Sequence, residues 1–150
     1  KKKTNQKIKF NNDILHQSKL INYFNGDYSK SKIERDVNNF LKKIIRNKKY
    51  IFSKKDIILL NSLKSDGIKI DKKYNSLYEI DTSQIPTDIQ VMINNDEKGA
   101  ALLRIVEVVG QDDLDRIDED TMYFIINTLN QLDIDLIRNR ILLKVLPLKV

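Results

Sequence analysis

The stretch IFSKKDIILLNSLKSDGIKI (residues 51–70) contains the start, the apolar face and the end of one helix. Ser53 suits an N-cap, because its side-chain oxygen can accept a hydrogen bond from a free amide of the first turn. Apolar residues then follow at positions 57, 59, 60 and 63, which is a helical spacing. Gly67 suits the residue just past a helix end, where a positive φ is needed. The stretch therefore predicts an amphipathic helix with one inward face.

A second stretch, residues 117–136, resembles the first. It reads IDEDTMYFIINTLNQLDIDL and aligns with residues 51–70 without a gap at an offset of 66. The match includes a polar position, where Asn61 aligns with Asn127, and an apolar one, where Ile68 aligns with Ile134. An amphipathic helix precedes each stretch, so the pattern predicts a helix–loop–helix unit that occurs twice. A chance match between two amphipathic helices is the open alternative.

Helical spacing continues through most of the chain, which only two prolines and four glycines interrupt. Capping signals are present at Asp13, at the Ser31–Glu34 pair and at the Thr87–Gln90 pair. Further helices are expected over residues 13–25, 31–49, 88–95, 97–109, 118–132 and 133–146. The sequence therefore predicts an all-α fold of about seven helices stacked as antiparallel pairs, as an α-solenoid or a bundle.

Charge divides the chain into two halves. Residues 1–75 hold 20 Lys and Arg against 7 Asp and Glu, a net charge of +13, and the remaining residues hold 7 against 14, a net charge of −7. The predicted segments are a basic flexible tail (1–12) and a single α-helical domain (13–150), which consists of a basic helical half (13–67), a connection (68–85) and an acidic helical half (86–150). In the connection, Tyr74, Leu77, Tyr78 and Ile80 are expected to pack onto the helices.

Several kinds of chemistry lack their residues in this chain. Without cysteine there is neither a disulfide nor a thiolate ligand. The four glycines are isolated, so no phosphate-binding loop or dinucleotide fingerprint is present. The single histidine, His16, lies among apolar residues, and no sequence pattern supplies it with a nucleophile and an orienting carboxylate. We therefore expect no catalytic residue, no cofactor and no metal, and a structural, partly buried or surface position for His16.

A basic segment, residues 42–55, offers a different function. Its cations can neutralise phosphates, and Tyr50 and Phe52 are candidates for stacking on bases, although Phe52 is also expected to pack between two helices. The candidate contacts are Lys42, Lys43, Arg46, Lys48, Lys49, Lys54 and Lys55. The alternative interpretation is that lysine is the default solvent-facing residue of a chain rich in Lys, Asn and Ile. Binding to nucleic acid or an anionic surface is thus the second functional hypothesis.

The acidic stretch GQDDLDRIDEDT (residues 110–121) resembles a cation site in composition only. An EF-hand loop needs Gly at its sixth position and Glu at its twelfth, and neither register that starts at Asp112 or Asp113 supplies them. The stretch is better interpreted as a corner between helices, with Gly110 ending one helix and Asp118 capping the next. Leu114 and Ile117 are spaced to reach the core from this corner.

The second half of the chain resembles a group of uncharacterised bacterial proteins. The segments SDGIKI, QIPTDIQVMINNDEKGAALLRIVEVVG and DEDTMYFIINTLNQLDIDLIRNRILLKVL are similar to the C-terminal part of exported or envelope-associated α-helical solenoids, over about residues 51–148. The motifs that match are packing motifs, such as Gly99-Ala100-Ala101 before an amphipathic helix that ends at Gly110. The resemblance implies no catalytic residues. It implies the C-terminal portion of a larger bacterial protein, in the periplasm or envelope; without the resemblance a cytoplasmic location is expected.

These observations favour a non-catalytic role. The expected function is a helical-repeat scaffold or protein-interaction module, whose partner is another protein or another part of the same full-length protein. No apolar run is long enough to span a membrane, so no transmembrane segment is expected. The sequence leaves the oligomeric state open.

Overall fold

The structure is a computed structural model that describes residues 8–109 and 114–149. Within these ranges the helices are α1 (Lys30–Arg46), α2 (Lys54–Ser65), α3 (Thr87–Asn94), α4 (Lys98–Val109), α5 (Glu119–Gln131) and α6 (Asp135–Val145). Short 3-10 helices cover Leu15–Gln17, Lys19–Asn25, Lys72–Leu77, Thr82–Gln84 and Leu114–Arg116. Two-residue strands β1 (Ile8–Lys9) and β2 (Leu148–Lys149) pair antiparallel and join the two ends of the fold.

The prediction of an all-α fold is confirmed. The six α-helices and the seven-residue 3-10 helix Lys19–Asn25 of the described chain give about the expected seven. Their buried side chains form one apolar core that extends from Leu15 to Leu146. This packing is compatible with a bundle, and the basic and acidic halves share the core. No helix of the described ranges combines the length and the apolarity that crossing a membrane requires.

Helices α2 and α5 lie side by side at the centre. Every residue over 58–63 and 122–130 is buried, so the middle of each helix is covered on all sides, whereas one inward face was predicted for α2. Lys54 binds Asp120 near the two N-termini, and Ser62 binds Asn130 near the two C-termini. The two helices therefore run parallel, and the stretches that match in sequence are neighbours in space.

The two central helices end in the same backbone motif. Past α2, the amide of Ile68 donates to the carbonyl five residues earlier over 3.0 Å, and past α5 the amide of Ile134 does the same over 3.0 Å. Before each of these residues the chain turns through a positive φ, 83° at Gly67 and 56° at Asp133. This is the Schellman arrangement, which satisfies the last carbonyls of a helix. Gly67 therefore ends α2 as predicted, and an aspartate occupies the equivalent position after α5.

These two positions predict opposite effects of exchanging the residue types. Gly67→Ala is expected to lower the free energy of unfolding by about 1 kcal/mol, because a Cβ disfavours the left-handed region. Space is not the cause, since the nearest atom to an added Cβ is Lys30 Nζ at 3.7 Å. Asp133→Gly is expected to raise the free energy of unfolding by about 0.5 kcal/mol, because glycine is preferred at this position of a helix end. Urea unfolding of both variants measures this, and a destabilising Asp133→Gly would contradict the account.

The segment predicted as one helix over 13–25 is two 3-10 helices. Ser18 divides them, because its hydroxyl donates to the carbonyl of Leu15 and accepts from the amide of Leu20. Such local side-chain bonds compete with α-helical ones. The first 3-10 helix follows Ile14 and not Asp13, so the predicted cap at Asp13 is wrong. Gly26 ends the second 3-10 helix with a φ of 84°.

Two predicted capping boxes are also wrong. Ser29, not Ser31, caps α1, and the Glu34 carboxylate accepts the amide of Lys69 instead of closing a box. Pro86 precedes α3, and the Gln90 side chain donates to the carbonyls of two residues before the helix. Both side chains thus tie their helix to a neighbouring segment, a use that pattern spacing alone does not reveal.

The structure departs from two predictions about segments outside these helices. In the connection Tyr74 and Tyr78 are buried and Leu77 is half-buried, as expected, but Ile80 is exposed. Residues 8–12 belong to the fold and not to a flexible tail, since β1 pairs with β2 and the Asn11 amide binds the carbonyl of Gln17. Residues 1–7 and the predicted helix end at Gly110 lie outside the described residues.

Candidate functional site

The basic segment lies at the C-terminal end of α1 and in the loop to α2. Most of its cations are exposed, with Lys55 half-buried. The exposed cations are Lys42, Lys43, Arg46, Lys48 and Lys49. The Tyr50 hydroxyl accepts from the amide of Leu15 and donates to Asp56, which fixes the position of this half-buried ring. Phe52 is partly buried against the core, as expected.

Lys54 differs from the other cations of the segment. Its ammonium donates to Gln84 over 2.6 Å and to Asp120, and it lies 5.3 Å from the centre of the Tyr123 ring. These contacts hold α2 against α5 and the 3-10 turn at 82–84. Lys54 is therefore not a free phosphate contact, and the candidate surface of the segment reduces to the other six cations.

His16 belongs to a buried polar cluster with Tyr50, Ser53 and Asp56. The Asp56 carboxylate is fully buried, and its Oδ1 accepts from the backbone amide of His16 over 3.0 Å and from His16 Nδ1 over 2.7 Å. Its Oδ2 accepts from the Tyr50 hydroxyl over 2.8 Å and from the Ser53 amide over 3.1 Å. The cluster joins the N-terminal segment to the start of α2, where Ser53 and Asp56 form a capping box.

This cluster brings a serine and a carboxylate to His16, which the sequence pattern did not indicate. The arrangement is not that of a catalytic triad, because Ser53 Oγ faces the same Nδ1 that binds Asp56, at 3.3 Å. A triad histidine uses one nitrogen for the nucleophile and the other for the carboxylate. The Nε2 atom of His16 instead lies 3.4 Å from the side-chain nitrogen Nε2 of Gln17. The cluster is a structural link between chain segments.

A second buried cluster surrounds Arg138 of α6, whose side chain is fully buried. Its guanidinium donates two hydrogen bonds of 2.8 Å to the two carboxylate oxygens of Asp66, and one of 3.0 Å to Asn130. The Tyr23 hydroxyl also donates to Asp66, over 2.8 Å. The guanidinium lies 5.6 Å from the Phe24 ring. Arg138 thus joins α6 to α2, α5 and the 3-10 helix before α1.

Two tyrosines of these clusters have shifted acidity. Burial, followed by the hydrogen bond to Asp66, raises the pKa of Tyr23 to about 12. Burial is also the main cause that raises the pKa of Tyr50 above its usual value. Both hydroxyls therefore stay protonated at neutral pH and act as hydrogen-bond donors to a carboxylate.

A cleft of about 670 Å³ opens beside the C-terminal halves of α2 and α5. Five of its lining side chains are carboxamides: Asn61, Asn75, Asn127, Asn130 and Gln131. Two of their atoms are buried without a hydrogen-bond partner, Nδ2 of Asn61 and Oδ1 of Asn127. A second cleft of about 660 Å³ adjoins the first and shares Lys64, Asn75 and Tyr78 with it.

An apolar surface lies on the outer side of α3 and α4. Helix α4 buries Ala101 and Ile105, but Leu103 and Val106 are 66% and 60% exposed, and Val91 of α3 is half exposed. Leu103 and Val106 are three residues apart and so share one face of α4. Arg104 forms an ion pair of 3.2 Å with Asp88 beside them. Large aliphatic side chains grouped this way mark an interaction surface more often than single exposed ones.

The described residues contain no group of three or more His, Asp or Glu that is placed to hold a metal ion. Residues 110–113 of the acidic stretch lie outside the described residues. Beyond that gap, Asp118 caps α5 by accepting the amide of Thr121 over 2.7 Å, as predicted. Leu114 and Ile117 pack against the core, also as predicted. The described part of the stretch is therefore a helix corner.

Comparison with protein-family models, with curated proteins and with solved structures gave no match for this chain.

Proposed function

We propose that this chain is a non-catalytic protein-interaction module that docks through the outer face of α3 and α4. The observation that carries the proposal is the exposure of Leu103 and Val106 together on one helix face. Full burial of one such side chain is favourable by about 1.5–3 kcal/mol relative to its exposure to water. In the His16 cluster, Ser53 has no histidine nitrogen of its own, so this cluster supplies no activated serine.

The occupant that fits this face best is a second copy of the chain. An antiparallel contact between two α4 helices places Leu103 of one copy against Val106 of the other. It also sets Arg104 of each copy near Glu107 of the other, so the charged rim is self-complementary. Self-complementarity is what a two-fold interface requires, and two-fold dimers are the most frequent oligomers.

Replacing the two central side chains tests this surface. The double variant Leu103→Ser/Val106→Ser is expected to raise the dimer dissociation constant at least 100-fold, because four aliphatic side chains leave the interface and a loss of about 0.7 kcal/mol from each already changes affinity by that factor. Sedimentation equilibrium over a range of concentrations measures the constant. The control is Ile51→Ser, since Ile51 is 86% exposed in the loop after α1. A wild-type chain that stays monomeric, or a double variant that dimerises normally, would sink the proposal.

We also propose that the two helix–loop–helix units are copies of one repeat. Support comes from the parallel packing of α2 and α5 and from their matching ends at Gly67 and Asp133. A further likeness lies within the helices, where the hydroxyls of Ser62 and Thr128 each donate to the carbonyl four residues earlier. Repeats that stack side by side in this way build scaffolds, and the larger exported protein expected from the resemblance stays a prediction.

The alternative function is binding of nucleic acid or an anionic surface through residues 42–55. The exposure of Lys42, Lys43, Arg46, Lys48 and Lys49 favours it. The two functions differ in their response to salt, because each neutralised phosphate steepens the loss of affinity between about 50 and 200 mM salt. Fluorescence anisotropy with a labelled DNA or RNA oligonucleotide decides between them. Absence of binding at low salt would remove this alternative.

A further inference from the structure

A projecting isoleucine lies between two half-buried aromatic residues in the loop after α1. Ile51 is 86% exposed, whereas Tyr50 and Phe52 on either side of it pack against the core. The Tyr50 hydroxyl donates to Asp56 over 2.8 Å, and the Tyr50 amide donates to the carbonyl of Asn47 over 3.0 Å. These contacts fix the loop on both sides of Ile51, so the fold itself holds this large aliphatic side chain in water.

A second exposed isoleucine lies in the last turn of α1. Ile45 is 52% exposed and borders a hollow of about 260 Å³, whose lining also includes Tyr50 and Phe52. The Asn47 amide donates to the carbonyl of Ile44 over 3.1 Å, which closes the turn that leads from α1 into the loop. The two exposed isoleucines therefore belong to one short, hydrogen-bonded segment at the same end of α1.

The charge around these isoleucines has a single sign. Residues 40–55 contain seven Lys and Arg and no Asp or Glu except the buried Asp56 that follows them. Lys43 lies 3.9 Å from Asp13, and the cations nearest to the loop, Arg46, Lys48 and Lys49, are exposed. An anionic partner complements these cations, and an aliphatic partner complements the isoleucines.

An anionic lipid bilayer offers both kinds of complement, because its charged headgroups lie directly above acyl chains. A nucleic acid complements the cations alone, since bases stack on aromatic rings and the rings of Tyr50 and Phe52 pack against the core. A protein partner needs a preformed cavity for Ile51, whereas fluid acyl chains adapt to a projecting side chain. Lysine side chains beside it are long enough to reach the headgroups while their stems cover apolar surface.

We propose that residues 44–52 bind the surface of an anionic lipid bilayer, with Ile51 inserted among the acyl chains and Arg46, Lys48 and Lys49 against the headgroup phosphates. This proposal rests on the alternative function of the basic segment, and it names a lipid surface and not a nucleic acid as the partner. It uses none of the residues of the α3–α4 face.

Binding to vesicles of phosphatidylcholine and phosphatidylglycerol in equal parts, measured by co-sedimentation, tests this surface. The parent protein carries Leu103→Ser/Val106→Ser, so that the other apolar face adds neither dimerisation nor lipid contact. Ile51→Ser is expected to lower the partition coefficient about tenfold, because the inserted side chain is lost. Arg46→Gln/Lys49→Gln is expected to lower it about 25-fold, since each cation near an anionic membrane contributes a factor of about five.

Matched controls lie at the opposite ends of the helices concerned. Leu136 is 78% exposed, and it lies two residues before Arg138, which is bound to Asp66 just past the C-terminal end of α2. Lys30 and Lys32 lie in the first turn of α1, about 20–24 Å from its last residue at a rise of about 1.5 Å per residue. Leu136→Ser and Lys30→Gln/Lys32→Gln are therefore expected to bind the vesicles as the parent does.

A tryptophan reporter tests insertion directly, because the chain contains no tryptophan of its own. With Ile51→Trp, the fluorescence is expected to shift to the blue on binding and to be quenched by lipids brominated in the acyl chains, since interfacial segments bury their apolar side to about 5–10 Å. With Leu136→Trp, no quenching is expected. Binding of a labelled DNA oligonucleotide is expected to be the same for Ile51→Ser and its parent.

Three results would each overturn the lipid proposal: no vesicle binding at low salt, equal binding by Ile51→Ser and its parent, or no quenching with Ile51→Trp. Oligonucleotide binding that persists beside any of them would leave the basic segment as a polyanion site. Dimerisation of the wild type is measured separately by sedimentation, so failure of the α3–α4 proposal and failure of the lipid proposal are distinguishable.

Discussion

Asp66→Ala is expected to lower the free energy of unfolding by about 3–5 kcal/mol, which is a large part of the stability of a domain of this size. The reason is that Arg138 is fully buried, and both of its terminal nitrogens donate to Asp66 over 2.8 Å. Without the carboxylate the guanidinium keeps its buried charge and loses its counter-charge. The Tyr23 hydroxyl loses its acceptor as well. Chemical unfolding followed by circular dichroism measures the loss.

Asp135 provides the matched control for this prediction. Its carboxylate lies 3.6 Å from the same guanidinium, but the side chain is half exposed, so Asp135→Ala is expected to cost less than about 1 kcal/mol. The double variant Asp66→Ala/Arg138→Met is expected to be more stable than Asp66→Ala alone, because it removes the uncompensated charge and leaves an apolar side chain of similar volume. Equal losses for the Asp66 and Asp135 variants would contradict the role of burial.

Asp56→Ala is expected to cost about 3–4 kcal/mol by a different route. Four donors lose their acceptor at once: the backbone amide and Nδ1 of His16, the Tyr50 hydroxyl and the Ser53 amide. Each buried donor left unpaired costs about 1–3 kcal/mol, although relaxation of the N-terminal segment recovers part of the sum. Asp56→Asn is expected to be nearly as damaging, because one of its two terminal atoms becomes an NH₂ group that faces donors. The loss is measured by urea unfolding.

A comparison with Asp118→Ala separates the loss of a helix cap from the other losses of stability in Asp56→Ala. Asp118 caps α5 at an exposed position, so Asp118→Ala reports the loss of a cap alone, about 1 kcal/mol. The excess cost of Asp56→Ala then belongs to the contacts with His16 and Tyr50. In hydrogen exchange, the amides of Leu15 and His16 are expected to lose protection in Asp56→Ala before those of α5. If Asp56→Ala and Asp118→Ala cost the same, the buried cluster has no role beyond capping.

Helix positions were largely predictable, whereas the capping residues were predicted correctly only in part. Apolar spacing located every α-helix to within a few residues, and Ser53 and Asp118 were identified correctly as caps. Asp13 and the two predicted capping boxes were wrong, because several neighbouring polar residues can each serve as a cap. Which of them does so depends on the direction from which the chain enters the helix, and that direction is set by contacts with other segments.

The polar clusters could not be predicted from the pattern of residue types. His16 and Asp56 are 40 positions apart, and Asp66 and Arg138 are 72 apart. Arg138 is one of four charged residues of α6, and nothing in the sequence marked it as the one whose side chain is fully buried. The alignment of Asn61 with Asn127 was visible in the sequence. Only the structure shows that both side chains are buried beside the same cleft.

By itself the sequence determined where the helices lie and that the fold is all-α, because hydrogen bonds four residues apart and apolar spacing are local properties of the chain. Only the tertiary structure decided which helices become neighbours, that α2 and α5 run parallel at the centre, and which charged and amide side chains they enclose. The physical reason is that burial and pairing of polar groups depend on contacts between residues distant in sequence. Those contacts exist only once the helices have packed.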